Sequence, residues 1–168
     1  MSRGYNMTEA EKRLHRCCFT GHRPEKLRSD ETTIRLNLNA AIQDAICDGY
    51  RTFISGMARG VDIWAAELVL LCRQECADIR LICALPHPDF EKRWRCEWQE
   101  RYRAVLEQAD LVRTICPHFF MGSYQIRNEW MVDHTSRMIA AYNGEPGGTR
   151  NAIQYAIKRD VGIVYVKT

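Results

Sequence analysis

The sequence predicts an α/β fold, a three-layer sandwich with a mostly parallel sheet of about six strands and helices on both faces. Three observations carry this. Short apolar runs alternate with segments of helical periodicity along the whole chain. Turn residues, chiefly glycine and proline, follow most of the apolar runs. No repeat, low-complexity tract or linker breaks the alternation. Right-handed crossovers between parallel strands then leave few topologies.

Each element has its own signal. The run Arg16 to Gly21 (RCCFTG) is a first strand, ended by a glycine. Residues 30–48 carry Ile34, Leu38, Ala41, Ile42 and Ala45 on one helical face. A second strand, TFISG, spans 52–56, and a helix capped near Gly60 to Asp62 spans 61–76. The third strand, 79–86, is stopped by Pro86 and Pro88. A long charged helix with Trp94 and Trp98 follows at 90–108. Strand 110–116, helix 123–136 and strand 137–142 come next. Ala152, Ile153, Ala156 and Ile157 define a helix over 148–159, and GIVYVK is a last strand over 162–167. A strand order of 3-2-1-4-5-6 is the expectation, with the switch point between strands 1 and 4. Residues 1–14 read as a mobile N-terminal segment and 15–168 as one domain, long enough for a sizeable core.

Composition narrows the function classes. Apolar content of 46% and charged content of 27% suit a water-soluble globular chain, and a net charge of +3 neither demands nor excludes nucleic acid. No stretch approaches the roughly 20 apolar residues of a membrane span. The charged N-terminus lacks the apolar core of a signal peptide. The eight cysteines contain no C-x-x-C pair and fall mostly in apolar patterns, so they read as reduced thiols in the cytoplasm. Cys72 and Cys76, four apart on a helix, suit a structural role better than a metal site, and no metal is expected.

In such sheets ligands bind beyond the carboxyl ends of the strands, so the strand-end residues are the candidates. After strand 1 come Gly21, His22 and Arg23, a glycine turn with anion donors. After strand 2 comes SGMARGVD, in which Ser55, Gly56, Arg59 and Gly60 frame a loop that opens a helix. Its glycines are four apart, which is not the dinucleotide fingerprint. Asp62 suits either an N-cap or a ribose contact. His87 and Asp89 sit in a rigid loop after strand 3, and Arg127 and Asn128 open the helix before strand 5. After strand 5, Pro146-Gly147-Gly148-Thr149 joins strand to helix, where free N–H groups suit a phosphate. Each charge-assisted hydrogen bond there is worth about 1.5–3 kcal/mol.

Five motifs in this order, CCFTGHRPEKL, FISGMARGVDIWAAE, ICALPHPDFEKRW, YQIRNEWMVDHT and AYNGEPGGTRNAIQYA, resemble the YpsA-like proteins. These are a branch of the SLOG superfamily of Rossmann-like domains. The resemblance runs from Cys17 to about Val166. It implies a bacterial-type cytoplasmic protein with one Rossmann-like domain that binds a nucleotide or nucleotide-derived molecule. NAD and an ADP-ribose-like ligand are the candidates. The SGMARGVD loop is also similar to that of DprA proteins, which bind single-stranded DNA. PGG is similar to the Pro-Gly-Gly-x-Gly-Thr-x-x-Glu motif of the LOG phosphoribohydrolases, which cleave the base from nucleoside monophosphates. Here Arg150 replaces the third glycine and Gln154 replaces the glutamate, and a glutamine cannot ionise. The LOG family also uses an arginine on the preceding helix, which Arg127 matches only loosely.

Three functions follow as expectations. The first is a binding module, with phosphate on Gly147, Gly148 and Thr149, charge from Arg127, His22 and Arg23, and a protein partner that reads occupancy. The second is a nucleoside-monophosphate glycosidase, which needs a carboxylate such as Glu129, Asp133 or Glu67 at the ribose. The third is single-stranded DNA binding, which needs a basic groove with exposed aromatics. A homo-oligomer paired through Trp94 and Trp98 competes with a core role for those side chains.

Overall fold

The computed structural model describes residues 7–168. Its strands are β1 (Arg16–Gly21), β2 (Thr52–Ser55), β3 (Arg80–Leu85), β4 (Leu111–Thr114), β5 (Arg137–Ala141) and β6 (Gly162–Val166). The helices are α1 (Glu9–Arg13), α2 (Glu31–Cys47), α3 (Val61–Glu75), α4 (Cys96–Gln108), α5 (Ser123–Asp133) and α6 (Gly148–Lys158), with a 3-10 turn at Pro24–Lys26. All strand pairs are parallel, in one Rossmann-like sheet of order β4-β3-β2-β1-β5-β6.

That order corrects the expectation for β4, which pairs with β3 rather than β1, with Leu111 opposite Ile82. Tyr102 and Val105 of α4 pack in the same core as α2 and α3. The third crossover therefore runs over the same face as the first two, and a right-handed connection carries β4 beyond β3. The chain reverses only after β4, through α5. Then β5 pairs with β1, from Cys17 opposite Arg137 to Gly21 opposite Ala141. The switch point lies between β1 and β5.

Period-2 alternation in the buried strands builds two cores. Cys17 and Phe19 of β1, and Leu81, Cys83 and Leu85 of β3, face α2, α3 and α4. Cys18, Ile82 and Ala84 face α5 and α6. The α2 helix starts where the Asp30 carboxylate accepts the Thr33 N–H at 2.7 Å, and it buries Ile34, Leu38, Ala41, Ile42 and Ala45. Each such Ile or Leu contributes about 1.5–3 kcal/mol.

Several boundaries differ from the sequence reading. The fourth helix begins at Cys96 rather than 90, because Asp89 takes a left-handed φ of 60° and turns Phe90 inward. Phe90 then packs against Trp94 at 5.0 Å and Tyr102 at 5.5 Å, which holds 90–94 in turns. Trp94 packs on the core, as does Trp98, which meets Trp64 at 6.1 Å. Ile157 leaves the apolar face of α6 and is 62% exposed. Within the segment 1–14, Glu9–Arg13 form a short helix whose Thr8–Glu11 capping box satisfies its first N–H groups, while residues 1–6 lie outside the described residues. Among the described residues no helix is long and apolar enough to cross a membrane.

Candidate functional site

A crevice of about 300 Å³ opens beyond the carboxyl ends of β1 and β5, at the switch point. Four segments wall it: the turn after β1, the first turn of α3, the first turns of α5 and the Pro-Gly-Gly turn before α6. Gly21, His22, Arg23, Asp62, Arg127, Asn128, Gly147, Gly148 and Thr149 all line it. They come from distant parts of the chain and meet because β5 lies beside β1.

The turn after β1 is shaped by packing. A Cβ on Gly21 would lie 2.5 Å from Val61, so glycine lets the end of β1 close against α3. His22 is buried, with its ring stacked on Tyr142 at 5.5 Å. Burial, reinforced by Lys26, pushes its pKa below the ordinary value, which disfavours a charge on the imidazole. The expectation that His22 supplies charge meets this cost of burial. Arg23 and Lys26 stand exposed at the rim and bring the cations instead.

Residues of the SGMARGVD loop divide into two groups. Asp62 and Ala58 line the crevice, while Ser55, Gly56, Arg59 and Gly60 do not. The Ser55 hydroxyl donates to the Asp62 carbonyl at 2.8 Å and accepts the Met57 N–H at 3.1 Å, pinning the loop. A Cβ on Gly56 would lie 2.5 Å from Arg127 Nη1, so this glycine makes room for the guanidinium. Arg59 donates to Glu25 at 2.9 Å, outside the crevice. Gly60, with a φ of 90°, is the residue preceding α3, and a Cβ there would meet Pro24 at 2.8 Å. Asp62 is therefore no N-cap. It sits inside the first turn, and its Oδ2 accepts the Ala58 N–H at 3.3 Å. Burial raises its carboxyl to about 6, against the opposing pull of Arg127 and of the Ala58 N–H.

Arg127 is the most deeply placed cation of the crevice, at 5% exposure. Its Nη1 donates to the Gly56 and Ala84 carbonyls, and its Nε to Asn128 Oδ1 at 2.9 Å. Among the described residues Nη2 makes no hydrogen bond and no carboxylate pairs with the guanidinium. Burial pushes its pKa down, and nearby Asp62 opposes this. Arginine stays charged under such shifts. Facing it, Gly147 precedes α6 at a φ of 140°, with no side-chain cap. The first intrahelical bond is from the Asn151 N–H to the Gly147 carbonyl at 3.0 Å, which leaves the N–H groups of Gly148, Thr149 and Arg150 ahead of the ladder. A Cβ on Gly147 or Gly148 would meet nothing within 4 Å, so the space over this turn is empty.

Phe19, Thr20, Lys26, Ala58 and Tyr124 also line the crevice, and the sequence reading did not single them out as site residues. Tyr124 had a signal, since it lies one helical turn before Arg127. Glu129, Asp133 and Glu67, the carboxylates the glycosidase reading needs, do not reach it. Glu67 is held by Arg35 and by Arg101 at 2.7 Å on the α2–α4 side of the sheet. Asp133 accepts from Tyr155 at 3.1 Å and pairs with Arg159 at 2.9 Å. Gln154 and Glu129 line a separate hollow. Asp62 is the carboxylate of the crevice. The arrangement can hold an anion on Arg127 and the α6 N-terminus, beside a carboxyl that exchanges its proton near pH 6.

Comparison with known proteins bears on this geometry. A family model described as the YspA SLOG family matches residues 17–162. A UPF0398 protein of Bacillus pumilus (strain SAFR-032) is 28% identical over 160 residues, covering 88% of this chain and 84% of its own. The "Uncharacterized SPbeta prophage-derived protein YoqJ" of Bacillus subtilis (strain 168) is 31% identical over 139 residues, 74% of this chain and 81% of that protein. A solved structure of DNA processing protein A from Helicobacter pylori, described for its single-stranded DNA binding mode, superposes with a TM-score of 0.64. That match covers 94% of this chain and 66% of the other, and at 18% identity it speaks to the fold alone.

Proposed function

The chain belongs to the YspA SLOG family, and from that premise and the crevice geometry we propose that it binds the phosphate of a nucleotide-derived small molecule, as a sensing module. One observation carries the reading. Arg127 is a buried guanidinium with Nη2 unengaged, facing an uncapped helix N-terminus across an open crevice. Burying a cation without a carboxylate partner is costly, and an anionic ligand offsets that cost. Arg23 and Lys26 at the rim add attraction, and Asn128 fixes the guanidinium plane. NAD and ADP-ribose carry the required phosphates. Free cysteines, most of them buried or half-buried, agree with a cytoplasmic setting.

A second reading is single-stranded DNA binding, favoured by the fold shared with the Helicobacter pylori protein. Against it, Arg101 of the fourth helix is taken by Glu31 and Glu67 and is not free for a phosphate backbone.

The test is calorimetric titration of wild type and Arg127→Ala with nucleoside monophosphates, NAD, ADP-ribose, the parent nucleosides and a single-stranded oligonucleotide. Recovered ligands are checked by chromatography. The variant should lose at least about tenfold in affinity for phosphorylated ligands and little for nucleosides. Equal losses would remove Arg127 from the phosphate role. A ligand returned as free base and ribose phosphate would instead mark an enzyme with Asp62 as its acid. Binding confined to the oligonucleotide, falling steeply with salt, would favour the DNA reading.

A further inference from the structure

Beside the crevice lies a second, larger cavity of about 590 Å³, formed by the loops after β3 and β4. Tyr124 belongs to the lining of both, so one ring separates the two spaces. We propose that this cavity takes the nucleobase of the ligand whose phosphate sits in the crevice. The proposal rests on the phosphate reading above and adds the second half of the ligand.

The walls are aromatic. His87 is met edge-on by Phe119 at 5.2 Å, Tyr124 at 5.7 Å and Phe90 at 6.0 Å. Phe119 is 63% exposed, although a ring of that size ordinarily seeks cover. A planar base stacked on it would supply that cover, and such stacking tolerates any base because every base has a π-face. His87 adds a polar feature. Its Nδ1 donates to the Pro88 carbonyl at 2.8 Å, which fixes the tautomer and leaves Nε2 as an acceptor. That nitrogen is buried and has no partner, and the His87 residue is 8% exposed.

The loop itself is held in an unfavourable shape. Asp89 takes a φ of 60°, a left-handed conformation that a non-glycine residue adopts at a cost. Strain of this kind collects at ligand clamps. Lys92 is neutralised by Asp89 at 2.9 Å, but Arg93 also lines the cavity and forms no ion pair among the described residues. A cation lining an aromatic cavity that shares Tyr124 with the crevice holding Arg127 suits a molecule with a base at one end and phosphate at the other. AMP and ADP-ribose have that form, while ribose 5-phosphate has only the phosphate end.

The experiment titrates AMP, ADP-ribose and ribose 5-phosphate into wild type, Phe119→Ala and Phe119→Trp by calorimetry. The Phe119→Ala variant should bind AMP and ADP-ribose about tenfold or more weakly, from one lost stacking contact. It should bind ribose 5-phosphate within about twofold of wild type. Phe119→Trp should restore the base-bearing ligands, a rescue that a folding defect would not show. Unchanged AMP binding in Phe119→Ala, with ribose 5-phosphate still bound, overturns the base cavity and spares the crevice. Equal losses for AMP and ribose 5-phosphate also overturn it, since Phe119 would then act through the shape of the crevice. If wild type binds none of the three, both readings fall, and capture of a single-stranded oligonucleotide by the same surface would replace them.

Discussion

Arg127 and Asp62 are buried within a few ångströms of the same glycine: a Cβ on Gly56 would approach both, at 2.5 Å and 2.9 Å. Opposite charges so placed ordinarily pair, yet no ion pair forms between them, because Arg127 is spent on carbonyls and Asp62 on a backbone N–H. The Asp62 carboxyl is therefore harder to ionise in the folded chain, at about 6 against an ordinary 3.8. A raised carboxyl favours the fold fully at pH below its unfolded value, and the advantage is lost as pH rises through about 6. Asp62→Asn keeps an acceptor for the Ala58 N–H and cannot ionise. Its melting temperature relative to wild type should climb between pH 4 and pH 7 by a few degrees and then level off. Paired thermal melts at pH 4.5, 6 and 7.5 check this, and a constant difference would mean that Asp62 titrates normally. Nothing in the sequence announced this pair. Asp62 suited a cap or a ribose equally well, and its distance from Arg127 depends on how β2 and β3 sit in the sheet.

At the scale of elements, α6 and the turn before it make the sharpest case. Glycine at 147 is required by a φ of 140°, whereas Gly148 has ordinary backbone angles and open space where a side chain would be. The fold does not need Gly148. A carboxylate at the first turn of a helix interacts favourably with its dipole. Gly148→Asp should therefore melt at or slightly above the wild-type temperature, while phosphate-bearing ligands lose well over tenfold in affinity to charge repulsion. Undiminished binding in titration would refute the placement of phosphate at this turn. The glycine turn was legible because Pro-Gly-Gly-Thr between an apolar run and a helical pattern is a local signal. Other elements were less so. The start of α4 was misjudged because Glu91 to Arg95 are compatible with a helix, and only the inward turn of Phe90 against Trp94 and Tyr102 excludes it. Tyr124 and Phe119 escaped notice as site residues for a related reason. Aromatics near a helix start read as core until neighbouring loops show them uncovered.

For the whole molecule, the alternation of strands and helices was enough to give the parallel three-layer class, since each period belongs to one short segment. The position of β4 was not. Its side of the sheet depends on which face α4 covers, and that is settled by Tyr102 and Val105 meeting residues far away in sequence. The consequence is that the crevice lies between β1 and β5 and joins the two halves of the sheet. A ligand there should protect both halves together. Saturation at a hundredfold over Kd adds about 2.7 kcal/mol to global stability. Amide exchange should slow at His22 to Lys26, at the start of α5 and at Gly148 to Arg150, with smaller effects at the distant β4 edge. Protection confined to one side of the switch point would contradict a bridging ligand. The same pairing bears on how the chain assembles. Neighbouring strands β1, β2, β3 and β4 close short loops, but Cys17 must meet Arg137 across the whole of the intervening chain. That closure carries the largest entropic cost and the slowest contact in the sheet. The half of the protein holding β1 to β4 can gather its α2–α4 core before β5 arrives, and until it does there is no crevice. On the proposed reading, a chain leaving the ribosome becomes competent to bind only when its last quarter has folded back, so a ligand would slow unfolding of the finished protein but could not guide the early steps of making it.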